Sequence, residues 1–131
     1  MAVFGAEDLA AQADTVRAPR ATVTREVIIP FLVGRPNCTD RARRYAVTMV
    51  IYNVLAQPVS IPTLVEDLGS DPHPPGTTGR PLSRLVLPCG RYAALWNGRH
   101  MTTGRRLAPG VYLFDLVIDG QRITRKVTLE R

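Results

Sequence analysis

Two cysteines, two histidines and a short acidic run are the side chains of this sequence best equipped for chemistry. Cys38 and Cys89 have neither a CxxC spacing nor a histidine at zinc-ligand distance in the chain, so they form one disulfide or remain two buried thiols. Bonded, they would close a loop of about 50 residues, for which chain entropy predicts about 4 kcal/mol of stabilisation. Such a bond persists only outside the reducing cytosol. His73 falls in a proline-rich stretch and His100 in a turn; neither has a second ligand beside it, and both read as exposed turn residues with no metal site. Glu66, Asp67 and Asp71 lack a positioned acid or base partner and read as solvated charges. Ser60, Ser70 and Ser83 show no nucleophile elbow, and no Gly-rich loop leads from strand to helix to cradle a phosphate. These patterns point away from an enzyme and imply no cofactor.

Surface charge points instead to partners. The 131 residues carry a net charge of +6, and Lys126 is the single lysine among 17 basic residues. The arginines are dispersed, with no basic helix or aromatic-studded basic strand, so nucleic acid is not the expected ligand. Arginine suits bidentate contacts to carboxylates and lipid phosphates. Protein subunits with acidic surfaces, or peripheral contact with an anionic membrane face, are the natural partners. Hydrophobic residues make up 45% and charged residues 21%, proportions of a folded single domain. No run approaches the roughly 20 apolar residues of a membrane-spanning helix.

The elements that must position these groups change period along the chain. Residues 1–25 form an N-terminal arm: helix formers over residues 6–16 permit a short helix, and an extended connector follows. Ala11-Gln12-Ala13 looks like a signal-peptidase site, yet residues 1–10 lack a basic n-region and a long apolar h-region. From residue 26 to residue 131 the pattern is that of strands. Val27 to Val33 contains Pro30 and belongs at an edge or bulge. Residues 45–52 set Val47, Met49 and Ile51 on one face, residues 91–96 alternate Tyr92, Ala94 and Trp96, and residues 111–118 alternate Tyr112, Phe114, Leu116 and Ile118. Asp119-Gly120 predicts a tight hairpin that returns Ile123, Val127 and Leu129 inward. Residues 69–81 hold four prolines and three glycines and must be a loop. Short strands divided by Gly and Pro turns predict an all-β fold, a sandwich of about seven strands.

The motifs Trp96-Asn97-Gly98-Arg99, Thr103-Gly104-Arg105-Arg106-Leu107 and Pro109-Gly110-Val111-Tyr112 resemble a series in the immunoglobulin-like domain of bacterial flagellar hook-capping proteins. A similar series occurs in the C-terminal sorting domains of type IX secretion cargo. Residues 47–55 and Ile29-Pro30-Phe31 extend the resemblance, which spans residues 27–131. It implies an immunoglobulin-like β-sandwich in which Trp96 plugs the core and Gly98, Gly104, Gly110 and Tyr112 shape the turns and strands. Ala56 stands where the family has glycine, so that turn is expected to differ. The two cysteines, loop 69–81 and the arm lie outside the family pattern.

The leading functional expectation is a periplasmic or extracellular structural subunit that grips a larger, membrane-associated assembly by its arm and its long loop. Val3 and Phe4 are the candidate apolar anchors, and Arg17, Arg20, His73, Arg80, Arg105 and Arg106 the candidate polar contacts. Two other classes are a sorting module read by an export machine and a carbohydrate- or ligand-binding sandwich. The latter is disfavoured by an aromatic content of 6%, since sugar platforms usually need exposed rings.

Overall fold

The computed structural model describes residues 26–34 and 38–130. Val3, Phe4, Arg17, Arg20 and the predicted helix of residues 6–16 lie outside them. The described residues contain no helix, and hence none long and apolar enough to cross a membrane. They form eight strands, one more than expected: β1 Val27–Val33, β2 Arg44–Tyr52, β3 Pro58–Ser60, β4 Thr63–Val65, β5 Leu85–Pro88, β6 Gly90–Trp96, β7 Gly110–Ile118 and β8 Gln121–Leu129. All pairings are antiparallel. One sheet has the order β1-β6-β4; the other runs β3-β2-β7-β8, with β5 pairing β2 beside β3.

Alternation decides which side chains meet between the sheets. Ile29 of β1, Trp96 of β6 and Leu64 of β4 share one core with Met49 of β2, Phe114 of β7 and Val127 of β8. Trp96 is fully buried and meets Tyr112 edge-on across the sheets at 5.1 Å between ring centroids. An indole so placed contributes by the area it removes from water, and such edge-to-face pairing adds to it. One inward expectation fails. Ile123, opposite Leu116 on β8, is 44% exposed, because the three-stranded sheet is too narrow to cover the start of β8. Val127 and Leu129, farther along the same face, are buried as expected.

The two flanks of the sandwich are closed differently. On one, the chain passes from β3 to β4 through Ile61-Pro62 and so changes sheets. Residues 79–82 then return along β4: the Gly79 N–H donates to Leu64 O at 2.6 Å and the Leu64 N–H to Arg80 O at 2.9 Å. Leu82, fully buried, joins both sheets, donating its N–H to Pro62 O at 2.9 Å and accepting from the Met49 N–H at 2.8 Å. Much of the proline-rich loop is therefore a structural seam. On the other flank β1 and β8 are edges with no further strand partner among the described residues. Pro30 sits on edge strand β1 opposite Ala93, at a position whose backbone faces away from β6, so its missing N–H costs no ladder bond.

Candidate interaction surfaces

One corner of the molecule is built around Cys38–Cys89, which form a disulfide with a Cα–Cα distance of 5.4 Å. Cys89 is the single residue between β5 in one sheet and β6 in the other, so the bond anchors the strand switch to the segment leading into β2. Arg41 donates through Nη1 to Cys89 O and through Nη2 to Pro72 O at 3.1 Å, tying the loop's beginning to the same corner. Asp71 accepts the Arg91 N–H on Oδ2 at 2.7 Å, and its own N–H donates to Arg91 O at 2.8 Å. Asp71 thus continues the β4–β6 ladder, which corrects its reading as a solvated charge; Glu66 and Asp67 are exposed, as expected. The corner is so tight that two glycines are required. A Cβ on Gly34 would lie 2.6 Å from the Cys89 Cβ, and one on Gly90 would lie 2.7 Å from Asp71 Oδ2.

His73 is half-buried, not an exposed turn residue. Its ring lies 5.7 Å from that of Tyr92, its Nδ1 is 2.6 Å from Thr78 Oγ1, and its Nε2 is buried with no hydrogen-bond partner among the described residues. The imidazole is therefore turned against its own domain. Arg80 is exposed on the seam segment. Tyr92 donates to Pro88 O at 2.7 Å; burial pushes its pKa up, and the Arg41 guanidinium partly offsets the rise.

At the opposite end of β6, residues 97–107 fold into a small hairpin. Asn97 Oδ1 accepts the Arg99 N–H at 3.0 Å, Gly98 takes φ 75°, and the Leu107 N–H donates to Gly98 O at 2.8 Å. Gly104, at φ 71°, makes the reversal and accepts Arg99 Nη1 at 3.1 Å. His100 is half-buried, and its Nδ1 accepts the Thr102 N–H at 3.1 Å, so it too is a structural turn residue. The hairpin brings exposed Arg105 and Arg106 together with Arg99, which pairs with Arg106 in a bridge and was not singled out as a contact residue. Tyr112, just beyond, donates to Ala108 O at 2.6 Å, and its burial raises its pKa. Gly110 takes φ 145° at the start of β7.

A third surface escaped the sequence reading altogether. On the outer face of the larger sheet Tyr52 lies opposite Leu113, which is 36% exposed, and Val111 nearby is 46% exposed. The turn after Tyr52 adds Val54 and Leu55, exposed by 71% and 73%. That turn holds Ala56 at φ 62°, a left-handed geometry that glycine takes without strain. The number of apolar groups left uncovered on this face depends on the neighbouring strands, which alternation along one strand does not identify.

No protein-family model, curated protein or solved structure matches this chain. The geometry must therefore carry the functional argument. Of the shallow clefts, one of about 250 Å³ lies beside Pro30, Leu32, Leu68 and Arg91 and one of about 400 Å³ beside Ser60, Thr63, Arg99 and His100, where the His100 Nδ1 is taken up by the Thr102 N–H. No three His, Cys, Asp or Glu side chains among the described residues are grouped to hold a metal ion. What the described residues present is surface: an apolar strip over Tyr52, Val111 and Leu113, an arginine hairpin, and a strand edge with no partner among them.

Proposed function

We propose that this chain is a non-catalytic accessory subunit whose sandwich docks on, and braces, a larger extracytoplasmic or membrane-associated protein assembly. The observation that carries this reading is the apolar strip of Tyr52, Val111 and Leu113 on the outer face of the five-stranded sheet, with Val54 and Leu55 exposed in the turn that follows Tyr52. Contiguous apolar surface costs free energy in water and marks a site covered by a partner. Arg99, Arg105 and Arg106 offer the carboxylates of such a partner, or an anionic membrane face, a clustered set of bidentate donors. The Cys38–Cys89 bond favours an oxidising compartment, periplasmic or extracellular.

Within this proposal the sandwich is immunoglobulin-like, of the hook-capping and sorting-domain kind that residues 27–131 resemble. Support comes from strands that switch sheets at Ile61-Pro62 and at Cys89, and from a tyrosine near the start of β7 whose hydroxyl bonds back to the main chain. The test is the native complex. Val111→Glu with Leu113→Glu should leave the thermal midpoint of the isolated chain nearly unchanged and shift it, on native gels of envelope extracts, from a large assembly to its own mass. Retention of the double variant in the assembly would reject the strip as the docking surface.

A further inference from the structure

Strand β8 is a nine-residue edge that pairs without a bulge along its whole length with β7 and with nothing else among the described residues. In the hairpin closed by Asp119-Gly120, Ile118 and Gln121 form the terminal pair, so odd-numbered residues of β8 direct N–H and C=O toward β7. Arg122, Thr124, Lys126 and Thr128 direct theirs away from the sheet. The same reasoning accounts for Asp119, whose N–H reaches Ala46 O on β2, and for the Met49 N–H, which reaches Leu82 O on the far side of β2. β1, the other such edge, is interrupted by Pro30; β8 has no proline. An uninterrupted edge of this kind is a template for an added strand.

Resting on the docking reading, we infer that the β8 edge receives an extended, acidic segment of a partner protein as an additional strand. The charges select the occupant. β8 carries Arg122, Arg125 and Lys126 and no acidic residue. Arg125 Nη1 donates to Thr124 O at 3.0 Å, which sets a guanidinium on the edge itself. Asp115 offsets only Arg122, at 3.7 Å. A second copy is the wrong partner, because antiparallel pairing about Thr124 sets Arg122 of each copy opposite Lys126 of the other, and like charges across a ladder repel. A segment with acidic side chains on the face of Arg122 and Lys126, and apolar ones on the face of Ile123, satisfies the edge and covers the isoleucine that the opposing sheet leaves 44% exposed. Edge cations also guard against unselective pairing, and the same charges then act as the selector.

The test is amide hydrogen exchange of the full chain, read residue by residue by NMR, with a capped peptide alternating Glu and Val as the probe and one alternating Lys and Val as control. The acidic peptide should slow exchange at Arg122, Thr124, Lys126 and Thr128 by at least about tenfold, while the basic peptide leaves them unchanged. Thr124→Pro removes one edge donor without touching the β7 ladder and should abolish the protection. Should that variant unfold, Lys126→Glu must weaken binding of the acidic peptide by about tenfold or more. Unprotected amides at millimolar acidic peptide would overturn the inference. So would amides already protected in the peptide-free monomer, which would place residues 1–25 on the edge, or protected in a dimer, which would place a second copy there. A Thr124→Pro chain that still enters the native assembly would reject the edge while leaving the apolar strip as the docking surface; a Val111→Glu, Leu113→Glu chain that still binds the peptide and still enters the assembly would do the reverse.

Discussion

Tyr92 and Tyr112 occupy matching corners of the two sheets. Each is the third residue of its strand, follows a glycine at φ 151° or 145°, and donates its hydroxyl to the carbonyl four residues upstream, Pro88 O and Ala108 O respectively. A Gly-x-Tyr unit thus serves twice, once where the chain enters β6 and once where it enters β7. Both rings face the core, against Phe31 and Trp96. Each corner therefore couples the start of a strand to the packing between the sheets.

The two hydroxyls predict an alkaline limit to stability. Burial raises both tyrosine pKa values above the ordinary 10.0, so the folded chain retains protons that the unfolded chain releases. The stabilisation is complete below pH 10 and declines as pH rises from there through the folded values. Tyr92→Phe and Tyr112→Phe should each cost about 1–2 kcal/mol at neutral pH, by leaving a carbonyl unpaired. Each should also flatten the fall in urea midpoint between about pH 9 and about pH 11. An unaltered slope in both variants would show that other groups set the limit.

The disulfide closes a sequence separation of 51 residues. Cys38→Ser with Cys89→Ser should lower unfolding free energy by about 4 kcal/mol, chiefly through the unfolded chain. Chemical denaturation measures this, and the intact mass of non-reduced protein should fall two hydrogens short of the dithiol form. Two alkylatable thiols in the untreated protein would contradict the bond.

Core position and strand face predict opposite outcomes on one strand. Val127→Ala, at a fully buried site, should cost about 1–3 kcal/mol, whereas Ile123→Ala should cost under about 1 kcal/mol despite removing more atoms. Trp96→Ala should cost about 3–5 kcal/mol and unfold a marginal domain. Equal costs at Ile123 and Val127 would show that the start of β8 is covered after all.

Gly34 combines a left-handed backbone, φ 73°, with direct contact on the disulfide. Gly34→Ala should lose about 2–4 kcal/mol from backbone strain and displacement of Cys89 together. Gly76→Ala, at φ 79° with open space around its Cβ, should lose only the backbone part, about 1–2 kcal/mol. Thermal midpoints of the two variants should separate accordingly.

Most of the long strands were legible because their order is local. Period-two alternation exposed the inward faces of β2, β6 and β7, Pro30 announced an edge, and Asp119-Gly120 announced the β7–β8 hairpin, in which Asp119 and Gly120 take φ 50° and 86°. β3 and β4 were missed because three-residue strands beside Pro58 and Pro62 carry too little period to read. Residues 79–81 of the seam read as part of a loop because proline and glycine report local breaks, not the β4 edge that happens to need covering. His73, Asp71 and Ile123 were misplaced for the same reason: their burial depends on strands distant in the chain.

By itself, then, the order of residues determined an all-β fold over residues 27–129 with Trp96 at its centre, since side-chain alternation and turn chemistry act between neighbours. Whether Cys38 meets Cys89, which strands lie at the sheet edges, and how Tyr52, Val111 and Leu113 join into one apolar strip were decided only by the tertiary structure. Those outcomes depend on which strands pair and how far each sheet extends over the other, quantities set by contacts between residues far apart along the chain.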